Sequence, residues 1–149
     1  GRRLGRVSVT LEIATVADQE LGAAFAHLVP QLSRSSAPPT LAELQEMVAA
    51  PASDVLLARL DGRIVGTLTL VVFRIPTGVR AWIEDVVVDE AARGHGVGDQ
   101  LNRFALDIAR EKGAKTVDLT SRPSREAANR LYQRIGFHPR DTNVDRFDL

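Results

Sequence analysis

Residues 93–98 read Arg-Gly-His-Gly-Val-Gly, and we call them the glycine loop. They follow an apolar run over residues 82–88 and open an amphipathic stretch over residues 98–111. Alternate glycines permit positive φ angles and a close approach of backbone to ligand. A helix that begins there directs its unpaired N–H groups outward, where they favour an anion. The glycine loop therefore predicts an anion site, and we interpret the anion as a pyrophosphate.

Spacing separates the nucleotide-binding motifs that could explain this loop. A dinucleotide fingerprint G-x-G-x-x-G that starts at Gly94 would need glycine where the chain has Asp99. A P-loop would need G-K-[ST], which the sequence does not contain. The pattern [Q/R]-x-x-G-x-[G/A] does match, at Arg93, Gly96 and Gly98. The dinucleotide fingerprint and the P-loop are thus excluded as explanations of the glycine loop.

A second pattern lies downstream, where A-x-x-L-Y-x-x-x-G-F is matched from Ala128 to Phe137. A β-prone run at residues 115–120 separates it from the glycine loop. In these two motifs and their order the chain resembles the GNAT family of N-acetyltransferases. The resemblance is strong over residues 82–137 and extends in element order over residues 7–149.

The resemblance implies an α/β chain with the acyl-CoA N-acyltransferase fold, in which about four helices flank a central mixed β-sheet. It implies acetyl-CoA as co-substrate, with no metal. It assigns the pyrophosphate to backbone N–H groups of the glycine loop and the pantetheine to strand-like pairing with the end of the preceding strand. The implied coenzyme-binding residues are Val86, Val87, Val88, Arg93, Gly94, His95, Gly96, Val97, Gly98 and Asn129.

Acetyl transfer to a primary amine needs a proton acceptor, because an alkylammonium has a pKa of about 10. Glu84 is our candidate base, and Asp85 or a chain of waters is the alternative. On a regular strand Trp82, Glu84, Val86 and Val88 share one face, while Ile83, Asp85 and Val87 share the other. A bulge would change this parity. The sequence leaves open which carboxylate faces the substrate.

Tyr132, the only tyrosine in the chain, occupies the family's position for the general acid that protonates the leaving thiolate. A packing role for its ring is the alternative. Asn129 departs from the family, because the asparagine commonly found early in this helix falls near Arg125. Four arginines could meet the 3′-phosphate of coenzyme A or form a solvated face: Arg122, Arg125, Arg130 and Arg134.

Composition narrows the classes of protein. The chain has 149 residues, enough for one domain, and we expect a disordered start at residues 1–6 and an N-acetyltransferase domain at residues 7–149. Lysine plus arginine and aspartate plus glutamate both number 19, so no net field attracts nucleic acid or a membrane. Without cysteine there is no thiolate nucleophile, and the three histidines lack the spacing of a zinc site. We expect a cytoplasmic protein and leave a homodimer open.

The periodicity of the remaining segments predicts the elements that carry the site. Apolar and polar residues alternate over residues 7–13, which predicts a strand. Two helices are expected next, capped by Asp18 and Thr40, and Pro30 should end or kink the first of them. Two strands joined by Asp61-Gly62 form a hairpin before the central strand over residues 79–88. A last edge strand is expected at residues 143–149.

Three classes of function are compatible with these features. The first is an acetyl-CoA-dependent N-acetyltransferase. The second is an acyltransferase for a longer acyl-CoA, or an acyl-CoA-binding module without turnover, and the third is a nucleotide-binding or structural domain. The acceptor, a small-molecule or peptide amine, is expected to be selected by residues 33–39, residues 74–80 and the C-terminal strand.

Overall fold

A mixed sheet organises residues 8–149, the part of the chain that the computed structural model describes. The strands lie in chain order across the sheet, and all neighbours are antiparallel except the last pair, which is parallel. The disordered start expected at residues 1–6, and the start of the first strand at Val7, lie outside the described residues. The five strands are β1 (Val9–Ile13), β2 (Ser53–Leu60), β3 (Arg63–Ile75), β4 (Gly78–Val88) and β5 (Thr116–Asp118).

Four α-helices and a 3₁₀ turn at Glu90–Ala92 complete the described elements, which confirms the predicted fold class. The helices are α1 (Gln19–Leu32), α2 (Leu41–Ala49), α3 (Val97–Glu111) and α4 (Glu126–Ile135). In residues 8–149 no helix has both the length and the apolar character needed to cross a membrane.

The predicted caps start the first two helices. Asp18 accepts the Leu21 N–H at 2.9 Å, and Thr40 and Glu43 form a reciprocal capping box. Pro30 does not end α1, which continues to Leu32. The helix thus extends two residues past the proline, to Leu32, which lines the candidate site.

Two apolar clusters cover the two faces of the sheet. On one face, α3 packs through Leu101 and Ala105 on strand residues such as Leu68 and Ile83. On the other face, α1 packs over β3 and β4 and α2 over β2, and their apolar side chains form a cluster with Val55 and Leu57 of β2. Because strand residues alternate between faces, neighbouring residues of β2 enter different clusters, Leu56 on the α3 side and Leu57 on the α1 side.

A β-bulge in β4 corrects the face assignment expected for a regular strand. Thr67 pairs with Val87, but Thr69 pairs with Glu84, so β4 carries one extra residue between these pairs. Asp85 adopts φ 48°, a left-handed conformation that aspartate tolerates better than most residues.

The bulge reverses the parity of the end of β4. Val86 and Val88 pack with Ile83 against the α3 cluster and not, as expected, on the face of Glu84. Glu84 stays on the face of Trp82, because their partners on β3 are Thr69 and Val71, two residues apart.

β4 and β5 pair only along a short stretch. The parallel register ends where Trp82 meets Asp118, and within residues 8–149 the stretch 83–88 of β4 has no strand partner on that side. The two strands therefore part in the middle of the sheet.

The expected C-terminal strand is wrong: residues 143–149 form no strand, and the chain is irregular after α4. The side-chain pattern gives a physical reason. In an extended segment Val144 would share a face with Arg146 and Asp148, and Phe147 would share the other with Asp145. Neither face is continuously apolar, and Val144 and Phe147 are 73% and 86% exposed.

A matched pair of glycine substitutions tests the packing of α3 on the sheet. A Cβ at Gly66 would lie 3.0 Å from Leu101 Cδ1 and 3.1 Å from Val97 Cγ1. Gly66→Ala should lower the free energy of unfolding by about 1–3 kcal/mol through overpacking. Gly22→Ala, whose Cβ would meet only Leu44 at 3.9 Å, should raise it by about 0.5–1 kcal/mol. Urea denaturation measures both, and equal effects would contradict the close approach of α3 to β3.

Candidate active site

The parting of β4 and β5 opens a cleft of about 130 Å³, which we call the central cleft. Backbone groups of β4 beyond Trp82 have no β5 partner, so they remain available to an extended ligand. The cleft brings together residues from α1, β4, the segment after β5, and α4. Its lining consists of Leu32, Ile83, Glu84, Asp85, Val86, Leu119, Thr120, Arg125 and Tyr132.

The glycine loop leads from the sheet into α3. Gly94 and Gly96 have φ angles of 88° and 73°, which only glycine adopts without strain, and Gly96 precedes the helix without a side-chain cap. Gln100 is the first residue whose N–H reaches back along the helix, to Gly96 O at 3.1 Å. The N–H groups of residues 97–99 therefore have no acceptor within the helix, and their partial positive charge faces the loop.

Gly98 serves a different purpose from the other two glycines of the loop. It lies within α3, and a Cβ added to it would come within 3.2 Å of Leu131 Cδ2. Its missing side chain thus lets α4 approach α3 closely. Because α4 carries Tyr132, this approach helps to set the position of Tyr132 at the central cleft.

The carboxylate in the first turn of α3 is paired along the helix and not with the loop. Asp99 accepts a hydrogen bond from Arg103 Nε at 2.8 Å, one turn further along α3. Arg93 and His95 are exposed on the loop, and Arg93 lies 3.9 Å from Glu90. An incoming anion would therefore meet free N–H groups and basic side chains.

Two carboxylates line the central cleft at the bulge. Glu84 and Asp85 both contribute to its wall, at the point where the bulge interrupts the alternation of β4. Both residues are exposed to solvent. Sequence parity alone placed them on opposite faces, so the bulge is the feature that brings both carboxylates to the site.

Tyr132 lines the same cleft from α4, with its ring edge-on to Phe137 at a centroid distance of 5.8 Å. Burial disfavours the phenolate and raises the pKa of Tyr132 above its ordinary value, while the nearby positive charge of Arg125 opposes part of this rise. The phenol thus keeps its proton at neutral pH. That is the state in which it can donate a proton.

Two residues have roles that the sequence did not indicate. The Asn129 amide, expected at the coenzyme, donates to Arg122 O at 3.0 Å and so holds the segment before α4. Arg125, considered only as one of four arginines for the 3′-phosphate, lines the central cleft beside Tyr132. The one indication in the sequence is that Arg125 directly precedes α4, the helix of Tyr132, so it lies close to the first turn of that helix.

Titration of the single tyrosine tests its surroundings. The pKa of Tyr132 should exceed about 10 in the folded protein and return to about 10 in urea, because burial disfavours the charged form. Arg125→Gln should raise the pKa of Tyr132 in the folded protein further. Arg130 is an exposed residue of α4, and Arg130→Gln should leave this pKa unchanged. The phenolate absorbance measures each midpoint. A folded midpoint at or below the unfolded one would contradict the described environment.

Comparisons with known proteins agree with this architecture. The glucosamine 6-phosphate N-acetyltransferase of Trypanosoma brucei brucei is 39% identical over 89 residues, 56% of this chain and 58% of the relative. N-alpha-acetyltransferase 30 of Schizosaccharomyces pombe is 31% identical over 61 residues, 41% of each chain. The chain thus covers less than two thirds of the length of either relative.

A solved structure shows the same fold at lower identity. An aminoglycoside N-acetyltransferase in complex with CoA superimposes with a TM-score of 0.81, at 16% identity over 99% of both chains. The sequence profile of the acetyltransferase (GNAT) family matches residues 22–137, more than half of this chain. The chain therefore belongs to the acetyltransferase (GNAT) family.

Proposed function

We propose that the protein is an acetyl-CoA-dependent N-acetyltransferase that transfers the acetyl group directly to a primary amine, with residues 7–149 as its catalytic domain. The observation that carries this proposal is the continuous path from the glycine loop, along the unpaired edge of β4, to a cleft with carboxylates and a protonated phenol. An anion site, an extended backbone and two groups able to move protons are the parts that acyl transfer from coenzyme A requires.

The glycine loop and β4 fit a coenzyme of this shape. Apart from the adjacent residues, no atom of residues 8–149 lies within 4 Å of a Cβ position at Gly94, so the loop surface is open to a pyrophosphate. Unpaired backbone groups of residues 83–88 suit the two amides of a pantetheine arm. Acetyl-CoA supplies the acetyl group and a thiolate leaving group.

Glu84 is the base that we propose for the acceptor amine. Its carboxylate lines the central cleft and is exposed, so it can take a proton from an alkylammonium directly or through a water. The neutral nitrogen then forms the new C–N bond as the C–S bond breaks. Asp85, beside it on the bulge, is the alternative base.

Tyr132 is the acid that we propose for the other end of the reaction. Its raised pKa keeps the phenol protonated, and its position in the same cleft as Glu84 suits protonation of a leaving thiolate there. Glu84 takes one proton from the ammonium, and Tyr132 gives its proton to sulfur. The nitrogen loses its second proton as the amide forms, and this proton restores the Tyr132 phenol through water.

For the acceptor we propose a small molecule that carries a primary amine and an anionic group. Glu84 and Asp85 provide negative charge for the ammonium, while Arg125 lines the same cleft and forms no ion pair within residues 8–149. An amino-sugar phosphate has this chemistry, and the trypanosomal relative is named for such an acceptor. A peptide amine is the second candidate, in view of the yeast relative.

Coenzyme binding tests the glycine loop. Acetyl-CoA at about 100 times its dissociation constant should stabilise the wild type by about 2.7 kcal/mol and raise its Tm. Gly94→Glu should abolish this shift, because it places a carboxylate beside the phosphate site. Gly62→Glu is the matched control: Gly62 has φ 78° and open surroundings, so its backbone strain is similar but remote from the loop. Retention of the shift in Gly94→Glu would exclude the loop as the phosphate site.

Turnover tests the proposed base. Acetyl-CoA and glucosamine 6-phosphate should release free thiol, and the chain itself contributes none because it lacks cysteine. Glu84→Gln should lower kcat about 100-fold at neutral pH and recover activity as the pH approaches the pKa of the amine. Asp85→Asn, the neighbouring control, should change kcat little. The opposite ranking would make Asp85 the base, and thiol release only with a peptide amine would replace the proposed acceptor.

A further inference from the structure

The last turn of α1 contacts the chain at the point where it leaves β4 for the glycine loop. Asp89 is the first residue after β4. Its N–H donates to Val65 O at 2.7 Å, and its carboxylate accepts the Ala91 N–H at 3.2 Å. The 3₁₀ turn Glu90–Ala92 then leads directly to Arg93. Contacts to Asp89 and to this turn therefore determine the position at which the glycine loop begins.

Gln31 of α1 bonds to this departure point with both ends of its amide. Its Oε1 accepts the Glu90 N–H at 2.9 Å, and its Nε2 donates to Asp89 Oδ1 at 3.4 Å. The same Nε2 lies 3.3 Å from His27 O, within its own helix. One side chain thus links the end of α1 to both the backbone and the carboxylate that start the turn.

His27, one turn earlier on α1, completes this contact. Its Nε2 lies 3.0 Å from Asp89 Oδ2. Partial burial raises the pKa of Asp89, but hydrogen bonds from the Ala91 N–H, His27 and Gln31 outweigh it and hold the value below its ordinary range. The carboxylate is therefore ionised at neutral pH and bound on both oxygens.

The structure assigns to Gln31, with His27 beside it, the role of a positioning residue for the glycine loop. This inference rests on the proposed function, in which that loop binds the coenzyme pyrophosphate. Neither residue lines the central cleft, whereas Leu32, the next residue of α1, does. The end of α1 thus contacts the start of the proposed coenzyme site with Gln31 and lines the central cleft with Leu32.

The physical reason lies in the cost of ordering a loop. Residues 93–96 are exposed, and their two positive-φ glycines have many conformations in the absence of contacts. The far end of the loop is already held, because Val97 is only 2% exposed in the core under α3. Gln31 and His27 hold the near end. A loop held at both ends binds an anion with less loss of entropy than a loop held at one.

A binding measurement on the full chain tests this role. Gln31→Met keeps the length of the side chain and removes both of its polar ends. Since a hydrogen bond contributes about 1 kcal/mol, equivalent to about fivefold in affinity, we expect Kd for acetyl-CoA to rise at least about fivefold. The kcat at saturating acetyl-CoA should stay within about twofold, since no group that touches the reacting atoms changes. Gln19→Met, at the exposed opposite end of the same helix, is the control.

Each outcome decides between positioning and mere structural support. A lower Tm with an unchanged Kd for acetyl-CoA would overturn the inference, because Gln31 would then stabilise the fold alone. A reduced kcat at saturation with an unchanged Kd would overturn it as well. Failure of the wild type to bind acetyl-CoA would instead refute the proposed function. His27→Gln provides an independent variant, and it should raise Kd in the same direction by a smaller factor, as one contact to Asp89 changes.

Discussion

The separation of β4 from β5 is the constraint on which the rest of the site depends. A continuous parallel pair would satisfy every backbone group of β4, and no edge would remain for a ligand. Because pairing ends where Trp82 meets Asp118, residues 83–88 keep one edge free while β3 holds the other. The free edge lies inside the sheet and not at its margin. It can therefore accept an extended ligand without exposing a long strand edge to other chains.

The bulge in β4 places two acidic residues where the strands separate. It rotates the end of the strand so that Val86 and Val88 join the apolar core under α3, and it leaves Glu84 and Asp85 at the opening. A regular strand would have sent one carboxylate into the core, where a charge without a partner costs several kcal/mol. The left-handed φ of Asp85 is the local cost of this arrangement.

Local chemistry in the sequence predicted the parts of the fold that depend on neighbouring residues. Asp61 and Gly62 both have positive φ, as the two-residue hairpin requires, and the caps at Asp18 and Thr40 lie where hydroxyl and carboxylate side chains were expected. The bulge was not predictable in position, because the run of apolar residues 86–88 fits either parity. The expected strand at residues 143–149 is absent for a related reason: its side chains alternate, but neither face is continuously apolar.

Contacts distant in sequence account for the rest of the candidate site. The link from Gln31 to Glu90 spans 59 residues, and no periodicity or motif in either segment indicates it. Gly98 shows the same limit in another way: the motif identified the residue, but its close approach to Leu131 of α4 is visible only in the structure. A motif glycine can thus serve the packing that positions the helix of a proposed catalytic residue. In this chain, the pattern that suggests a phosphate site also encodes the contact that brings Tyr132 to the cleft.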